Sequence, residues 1–198
     1  MWALEHPSKT KDAWCVVSRD IFTQEQHNFI ENYISQHPEQ IISAKIKENG
    51  GSRNSRLRRT DIVFLEETPT FDNIYKRLSD AVNEVNAGYY KFALTHIQTL
   101  QYSIYRSEDQ GFYDMHTDAT LKGENGRCRK LSFSIQLNDP SEFEGGNLVF
   151  HDSNPGNIVR LKQNEIVFFP SFLPHSVTPV TKGVRKSLVG WVIGPDFV

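Results

Sequence analysis

From about Phe92 to Ile193 apolar and polar residues alternate in short runs. A period of two marks strands whose successive side chains face opposite ways. The predicted strands are 97–105, 111–118, 130–137, 146–151, 157–161, 165–169, 175–180 and 184–193. Glu124-Asn125-Gly126, Asn138-Asp139-Pro140, Asn154-Pro155-Gly156 and Lys182-Gly183 supply turn chemistry between them. Upstream the period changes. Phe22, Phe29, Ile30, Tyr33 and Ile34 recur at helical spacing, with Thr23 and Gln26 placed as a capping box and Pro38 closing the segment. Phe71, Ile74, Leu78, Ala81, Val82 and Val85 predict a second helix that ends near Asn86-Ala87-Gly88. Shorter strand-like runs lie at 14–17, 41–46 and 60–65. The expected fold is mainly β with N-terminal helices: a double-sheet jelly roll (double-stranded β-helix) with two helices packed on one sheet. A single domain over 1–198 is expected, with a helical lead-in and first strands over 1–92 and a jelly-roll core over 93–194. Residues 1–12 read as a polar arm.

Composition narrows the classes. A chain of 198 residues can bury a real core. Its formal net charge of -2 provides no global argument for nucleic acid or an anionic membrane. The two cysteines, Cys15 and Cys128, fit neither a zinc spacing nor a disulfide framework. No apolar run approaches the roughly 20 residues of a membrane span. The first residues lack the basic-then-apolar order of a secretory signal. A reducing cytoplasm is therefore the expected setting.

The candidate chemistry begins at His116-Thr117-Asp118. On a strand, residues two apart share a face, so His116 and Asp118 can aim an imidazole and a carboxylate at one point. Alone, that spacing is common and equally fits a surface histidine beside a solvated aspartate. A third ligand would have to come from another strand. His6, His27 and His37 fall in the arm and first helix, and His96 opens a strand where it can satisfy a backbone carbonyl. His151 and Asp152 are adjacent and point to opposite faces. His175 remains, fixed between Pro174 and the following strand. Downstream, Arg185, Ser187, Val189 and Trp191 share one strand face. An arginine facing the interior needs an anion, whereas one facing outward would differ little from Lys186. Lys45, Lys47, Arg53, Arg56, Arg58 and Arg59 form a basic patch. A solvated loop paired with nearby acids is its simpler account; a phosphate-binding surface is the alternative, and the patch can also overhang a cleft.

These residues resemble the iron- and 2-oxoglutarate-dependent dioxygenases, in their prolyl 4-hydroxylase-like branch, as found in small phage-type and bacterial members. The resemblance rests on His116-Thr117-Asp118, the run His175 to Arg185, Leu137-Asn138, Glu144 to Phe150, and the upstream Tyr105 and Tyr113. It implies His116, Asp118 and His175 as iron ligands. It also implies Arg185 as partner of the far carboxylate of 2-oxoglutarate, with Tyr105 and Ser187 as its hydrogen-bond partners and Gln136 as a weaker candidate. The implied requirements are Fe(II), 2-oxoglutarate and O2, with ascorbate as a candidate reductant. The implied reaction hydroxylates a C–H bond, on a prolyl or other residue of a peptide or protein, and releases succinate and CO2. A two-histidine, one-carboxylate triad suits this by leaving positions open on the metal.

Base demethylases of this superfamily carry a second arginine shortly after the one matched by Arg185. Here Leu188 to Ile193 contains none, which argues against that substrate. Two other classes are compatible with the residues: a nucleic-acid oxygenase using the 45–59 patch, and a metal-binding jelly roll without turnover. The first predicts affinity that falls steeply with salt. Specificity is expected from the segments 47–59 and 121–129, which are polar and name no chemical target. Oligomeric state has no sequence signature.

Overall fold

A computed structural model describes residues 15–44, 57–119, 126–152 and 156–196. The expected N-terminal arm, Lys45, Lys47, Arg53 and Arg56 of the basic patch, and the turns at Asn125 and Pro155 lie outside the described residues. The chain opens with β1 (Val16–Ser18), α1 (Gln24–Gln36), β2 (Ile42–Ser43), β3 (Arg58–Arg59), β4 (Asp61–Leu65) and α2 (Asp72–Val85). Strands then dominate: β5 (His96–Ile97), β6 (Leu100–Arg106), β7 (Phe112–His116), β8 (Arg127–Gln136), β9 (Phe143–Gly145) and β10 (Leu148–Phe150). They continue with β11 (Asn157–Val159), β12 (Ile166–Pro170), β13 (His175–Val177) and β14 (Val180–Pro195).

Two sheets result. The larger runs β1-β12-β8-β14-β6-β4-β2, with β5 and β9 also paired to β14. The smaller runs β11-β10-β13-β7-β3. The early strands are woven into both sheets: β1 pairs with β12, β4 with β6, and β3 with β7. This jelly-roll arrangement with two helices on the larger sheet is the one expected from periodicity. The short β9 and the early start of β14 at Val180 were not. Their three-residue pairing carries little alternation of its own.

The helices sit on one face of the larger sheet. Thr23 and Gln26 make the capping box, with the Gln26 N–H donating to Thr23 Oγ1 (3.2 Å) and the Thr23 N–H to Gln26 Oε1 (3.0 Å). Ile30 and Ile34 of α1, and Ile74, Leu78, Ala81, Val82 and Val85 of α2, bury against Tyr102, Ile104, Phe133, Ile135, Phe168 and Leu188. Phe29, although in phase with these, remains 37% exposed. The Tyr75 hydroxyl ties α2 to the sheet, donating to the Leu65 carbonyl (2.7 Å) and accepting from the Leu100 N–H (3.0 Å). Helix α2 does not end on a glycine cap. A π-helical turn spans 86–90, and Lys91 takes the left-handed conformation at φ 55. The Asn86 side chain closes that turn by bonding both the N–H and the carbonyl of Phe92.

Alternation gives the larger sheet a second, different face. Ser132, Ser134, Ser103, Tyr105, Arg185 and Ser187 occupy the positions between the helix-facing apolar residues, and all are buried. They look across to Leu148, Phe150, Leu173 and Val177 of the smaller sheet and its flanking turn, which pack with Val167 and Phe169. Gly190 is required where it stands. A Cβ there would lie 2.2 Å from Phe133 Cζ, so the glycine gives Phe133 the room to cross β14.

Candidate metal centre

In the smaller sheet β7 and β13 pair antiparallel so that His116 and His175 are direct cross-strand partners. Cross-strand partners sit side by side on one face, which brings two histidines together over nearly sixty residues of chain. Asp118 arrives differently. Strand β7 stops at His116, and Asp118 stands on a bend beyond it, its N–H donating to the Ser171 carbonyl (2.9 Å). Strand alternation therefore does not aim this carboxylate, as the H-x-D spacing suggested; the Ser171 anchor does. The result is the same convergence. Nε2 of His116 lies 3.8 Å from Asp118 Oδ1, and Nε2 of His175 lies 3.5 Å from Oδ2. One donor atom from each residue falls within 4.8 Å of the others.

The surroundings prepare these groups as ligands. His116 Nδ1 lies 2.8 Å from the Asp114 carbonyl and His175 Nδ1 2.9 Å from the Leu173 carbonyl. A carbonyl only accepts, so each Nδ1 carries the proton and each Nε2 presents its lone pair to the shared point. The Ser132 hydroxyl donates to Asp118 Oδ2 (2.8 Å) and is itself 2.8 Å from Ser171 Oγ. Burial, with His175 beside it, pushes the His116 pKa down to about 4, so the ring is neutral at ordinary pH. Two imidazoles and one carboxylate converging on a point suit a divalent first-row metal such as ferrous iron.

The triad opens into a cavity of about 250 Å³ whose walls include Tyr105, Tyr113, Arg185, Ser187 and Trp191. Arg185 is 3% exposed and has no ion pair among the described residues. Its Nη1 lies 3.4 Å from Ser187 Oγ and its guanidinium 5.4 Å from the Tyr105 ring centre, across the β14–β6 register. Burial without an anion pulls its pKa below the ordinary arginine value. A buried, uncompensated guanidinium is costly, and a carboxylate entering the cavity would relieve it. Gly146, at φ 59, lets the arginine stem pass: a Cβ there would stand 2.8 Å from Arg185 Cδ.

The strand-rich half of the chain, residues 100–193, matches the model of the 2OG-Fe(II) oxygenase superfamily. That match covers 94 of the 198 residues, a little under half of the chain. The sequence is 39% identical over 95 residues to a PKHD-type hydroxylase of Idiomarina loihiensis, covering 48% of this chain and 43% of that one. It is 33% identical over 132 residues to the PKHD-type hydroxylase YbiX of Escherichia coli, covering 64% of this chain and 59% of that one. The chain thus spans about half the length of the curated relatives it matches. Among solved structures, the fold is similar to a Pseudomonas putida prolyl-4-hydroxylase, with a TM-score of 0.69, 18% identity, and coverage of 90% of this chain and 91% of that one. It is also similar to a Trichoplax adhaerens prolyl hydroxylase bound to a hypoxia inducible factor peptide fragment, at TM-score 0.73 and 13% identity, over 92% and 83% of the two chains.

Within this fold, His116, Asp118, His175, Arg185, Tyr105 and Ser187 come together in one cavity. Gln136 does not. Its amide donates to the Asn138 carbonyl and side chain and to the Lys186 carbonyl, which ties β8 to β14 through Leu137-Asn138. His96 and His151 lie on the surface, His96 beside the Thr95 hydroxyl and His151 beside that of Ser176. His27 and His37 are on or beside α1. Several wall residues had no signal in the sequence. Ser132 and Ser171 are two serines among many until the fold sets them against Asp118. Arg58 and Arg129 also line the cavity, stacked on Tyr113 (4.4 Å) and Trp191 (3.9 Å). A register shift on β7 makes Tyr113 face the cavity. The extra residue between Tyr113 and His116 lets their rings stack at 3.6 Å, although an odd separation would place them on opposite faces of a regular strand.

Proposed function

We propose that this chain is an Fe(II)- and 2-oxoglutarate-dependent dioxygenase that hydroxylates a C–H bond on a prolyl or other residue of a peptide or protein. The observation that carries the reading is one cavity holding both a His-Asp-His donor set and a buried arginine without an acidic partner among the described residues. His116, Asp118 and His175 would hold the metal. Arg185 would take the far carboxylate of 2-oxoglutarate, with Ser187 and Tyr105 beside it. The guanidinium fork suits a planar carboxylate, and the burial of Arg185 strengthens that pairing. Ser132 keeps Asp118 turned toward the two rings, and the backbone acceptors at Asp114 and Leu173 fix which ring nitrogen is free. Bound ferrous iron supplies oxygen activation coupled to decarboxylation of the cosubstrate, so that one oxygen atom of O2 ends in succinate and the other in the new hydroxyl, with CO2 released.

A peptide substrate is supported by the relatives, since one of the similar prolyl hydroxylases is bound to a peptide fragment. Ascorbate would serve as reductant when turnover leaves the iron oxidised. Neither Cys15 nor Cys128 is in a disulfide, which suits the reducing cytoplasm we propose. No helix among the described residues is long and apolar enough to cross a membrane.

Anaerobic addition of Fe(II) and 2-oxoglutarate tests this directly. A weak visible charge-transfer band is expected, followed by succinate on admitting oxygen, and His175→Ala should abolish both. Absence of the band from the wild-type protein would reject the assignment.

A further inference from the structure

The cavity that accounts for the metal and the cosubstrate contains more positive charge than those two ligands use. Arg58 reaches it from β3 of the smaller sheet and Arg129 from β8 of the larger one. They flank the triad from opposite sides. Each guanidinium carbon sits over an aromatic ring, Arg58 over Tyr113 and Arg129 over Trp191. Tyr113 in turn stacks on His116, so Arg58 is one ring removed from the metal position.

Neither arginine has an ion pair among the described residues. Arg129 Nε donates to Gln98 Oε1 (2.6 Å), a neutral partner. Arg58 Nε and Nη2 are buried and make no hydrogen bond among the described residues, and Trp191 Nε1 is in the same condition. Buried donors without acceptors are rare, and these belong to two residues that line the same cavity, which favours an acceptor arriving from outside. Arg59, the neighbour of Arg58, is turned elsewhere, stacked on Phe112 and donating to the Asp109 carbonyl.

Charge sharpens this. Three arginines and a divalent ion, set against Asp118 and a dianionic cosubstrate, leave two positive charges in excess. Asp118 is the one carboxylate among the described residues of this wall, and the metal would claim it.

We propose that Arg58 and Arg129 form a rim that selects substrates carrying a carboxylate close to the carbon that is hydroxylated. This rests on the oxygenase reading and adds a substrate class to it. The two aromatic rings help to position both guanidinium groups, and a guanidinium pairs best with a planar acceptor, which is carboxylate geometry. The cavity has only about 250 Å³ to share with the cosubstrate, so the anion is compact. An acidic side chain next to the target residue and a free α-carboxylate at a chain terminus both present that group.

The test uses the full chain loaded with Mn(II) and 2-oxoglutarate, without oxygen, and short prolyl peptides as probes. One pair differs by Asp against Asn beside the proline, and a second by a free C-terminal carboxylate against its amide. The wild-type protein is expected to bind the charged member of at least one pair roughly tenfold or more tightly, the scale of a charge-assisted pair in a dry site. The pair that responds identifies the source of the carboxylate. Arg58→Gln and Arg129→Gln should each remove most of that preference, while Arg58→Lys should retain part of it. Equal affinities within both pairs overturn the rim, and so does a preference that survives both glutamine substitutions. Competition by a dT8 oligonucleotide without acid–amide discrimination overturns it in favour of a phosphate-bearing substrate. Failure of 2-oxoglutarate itself to bind would instead count against the oxygenase assignment, so the two failures are separable.

Discussion

The two faces of the larger sheet are made by alternate residues of the same strands, yet they do opposite things. On β8, Leu131, Phe133 and Ile135 face the helices while Ser132 and Ser134 face the cavity. On β14, Leu188 packs toward the helices and Arg185 and Ser187 toward the cavity. The helix face is apolar and filled, with its few polar groups paired, as Tyr75 is. The cavity face holds a buried arginine with no acid, orphan donors, and a carboxylate kept in place by a serine. Burial stabilises the first face and strains the second. The same depth that would merely bury a leucine makes Arg185 ready for an anion.

Truncation on each face should therefore have opposite signatures. Phe133→Ala empties a fully buried site and should cost about 3–5 kcal/mol of stability, read by urea denaturation of the metal-free protein. Arg185→Met should behave in the other way. It replaces an unpaired buried charge by an apolar chain of similar length, so apo stability should hold or rise. 2-Oxoglutarate binding should weaken by about 2–5 kcal/mol, the scale for removing one partner of a buried charge pair. A large loss of apo stability with normal cosubstrate affinity would mean that the arginine is a structural group and that the faces do not differ.

This contrast also separates what the sequence makes legible from what it hides. Periodicity placed the helices and most strands, because each buries an apolar stripe with its own spacing. His116, His175 and Arg185 could be found because regular alternation and a known motif agreed. The rest of the wall depends on irregularity. An extra residue on β7 turns Tyr113 to the side of His116, and a register shift between Val192 and Ile193 on β14 skips Lys130 on β8, next to Arg129. Counting by twos gives Arg129 the same face as the helix-packed Leu131, whereas it lines the cavity. Asp118 reaches the two histidines by a route that alternation does not supply, since it hangs on a bend held by Ser171. The segments 47–59 and 121–129 were expected to carry specificity, and Arg58 and Arg129 are their described ends nearest the triad.

Ser132 provides a finer probe of the cavity face. Ser132→Ala removes the hydroxyl that holds Asp118 Oδ2 without altering any proposed ligand. Metal affinity should fall by about 10–100-fold, the usual cost of losing an outer-shell partner. Urea denaturation should show little change, because the neighbouring Ser171 can reorient its hydroxyl. Unchanged metal affinity would show that the Ser171 backbone anchor alone fixes the carboxylate.

The smallest effect should be one of pH, and it should belong to the cavity face alone. In the folded apo protein His116 resists protonation until about pH 4, whereas in the unfolded chain it takes up a proton near its ordinary value of 6.5. The unfolded state therefore binds more protons between those values, and stability must fall as pH falls through that window. The contribution is present above 6.5, and the slope ends near 4, where both states are charged. Most of the window lies below neutrality, so a step from about pH 7 to about pH 6 should cost only about 0.5–1 kcal/mol. His116→Gln should flatten that slope in urea titrations of the apo protein, and Phe133→Leu, a change on the helix face, should leave it intact. If the slope persists in His116→Gln, the acid sensitivity arises elsewhere and the neutral ring is not what the cavity protects.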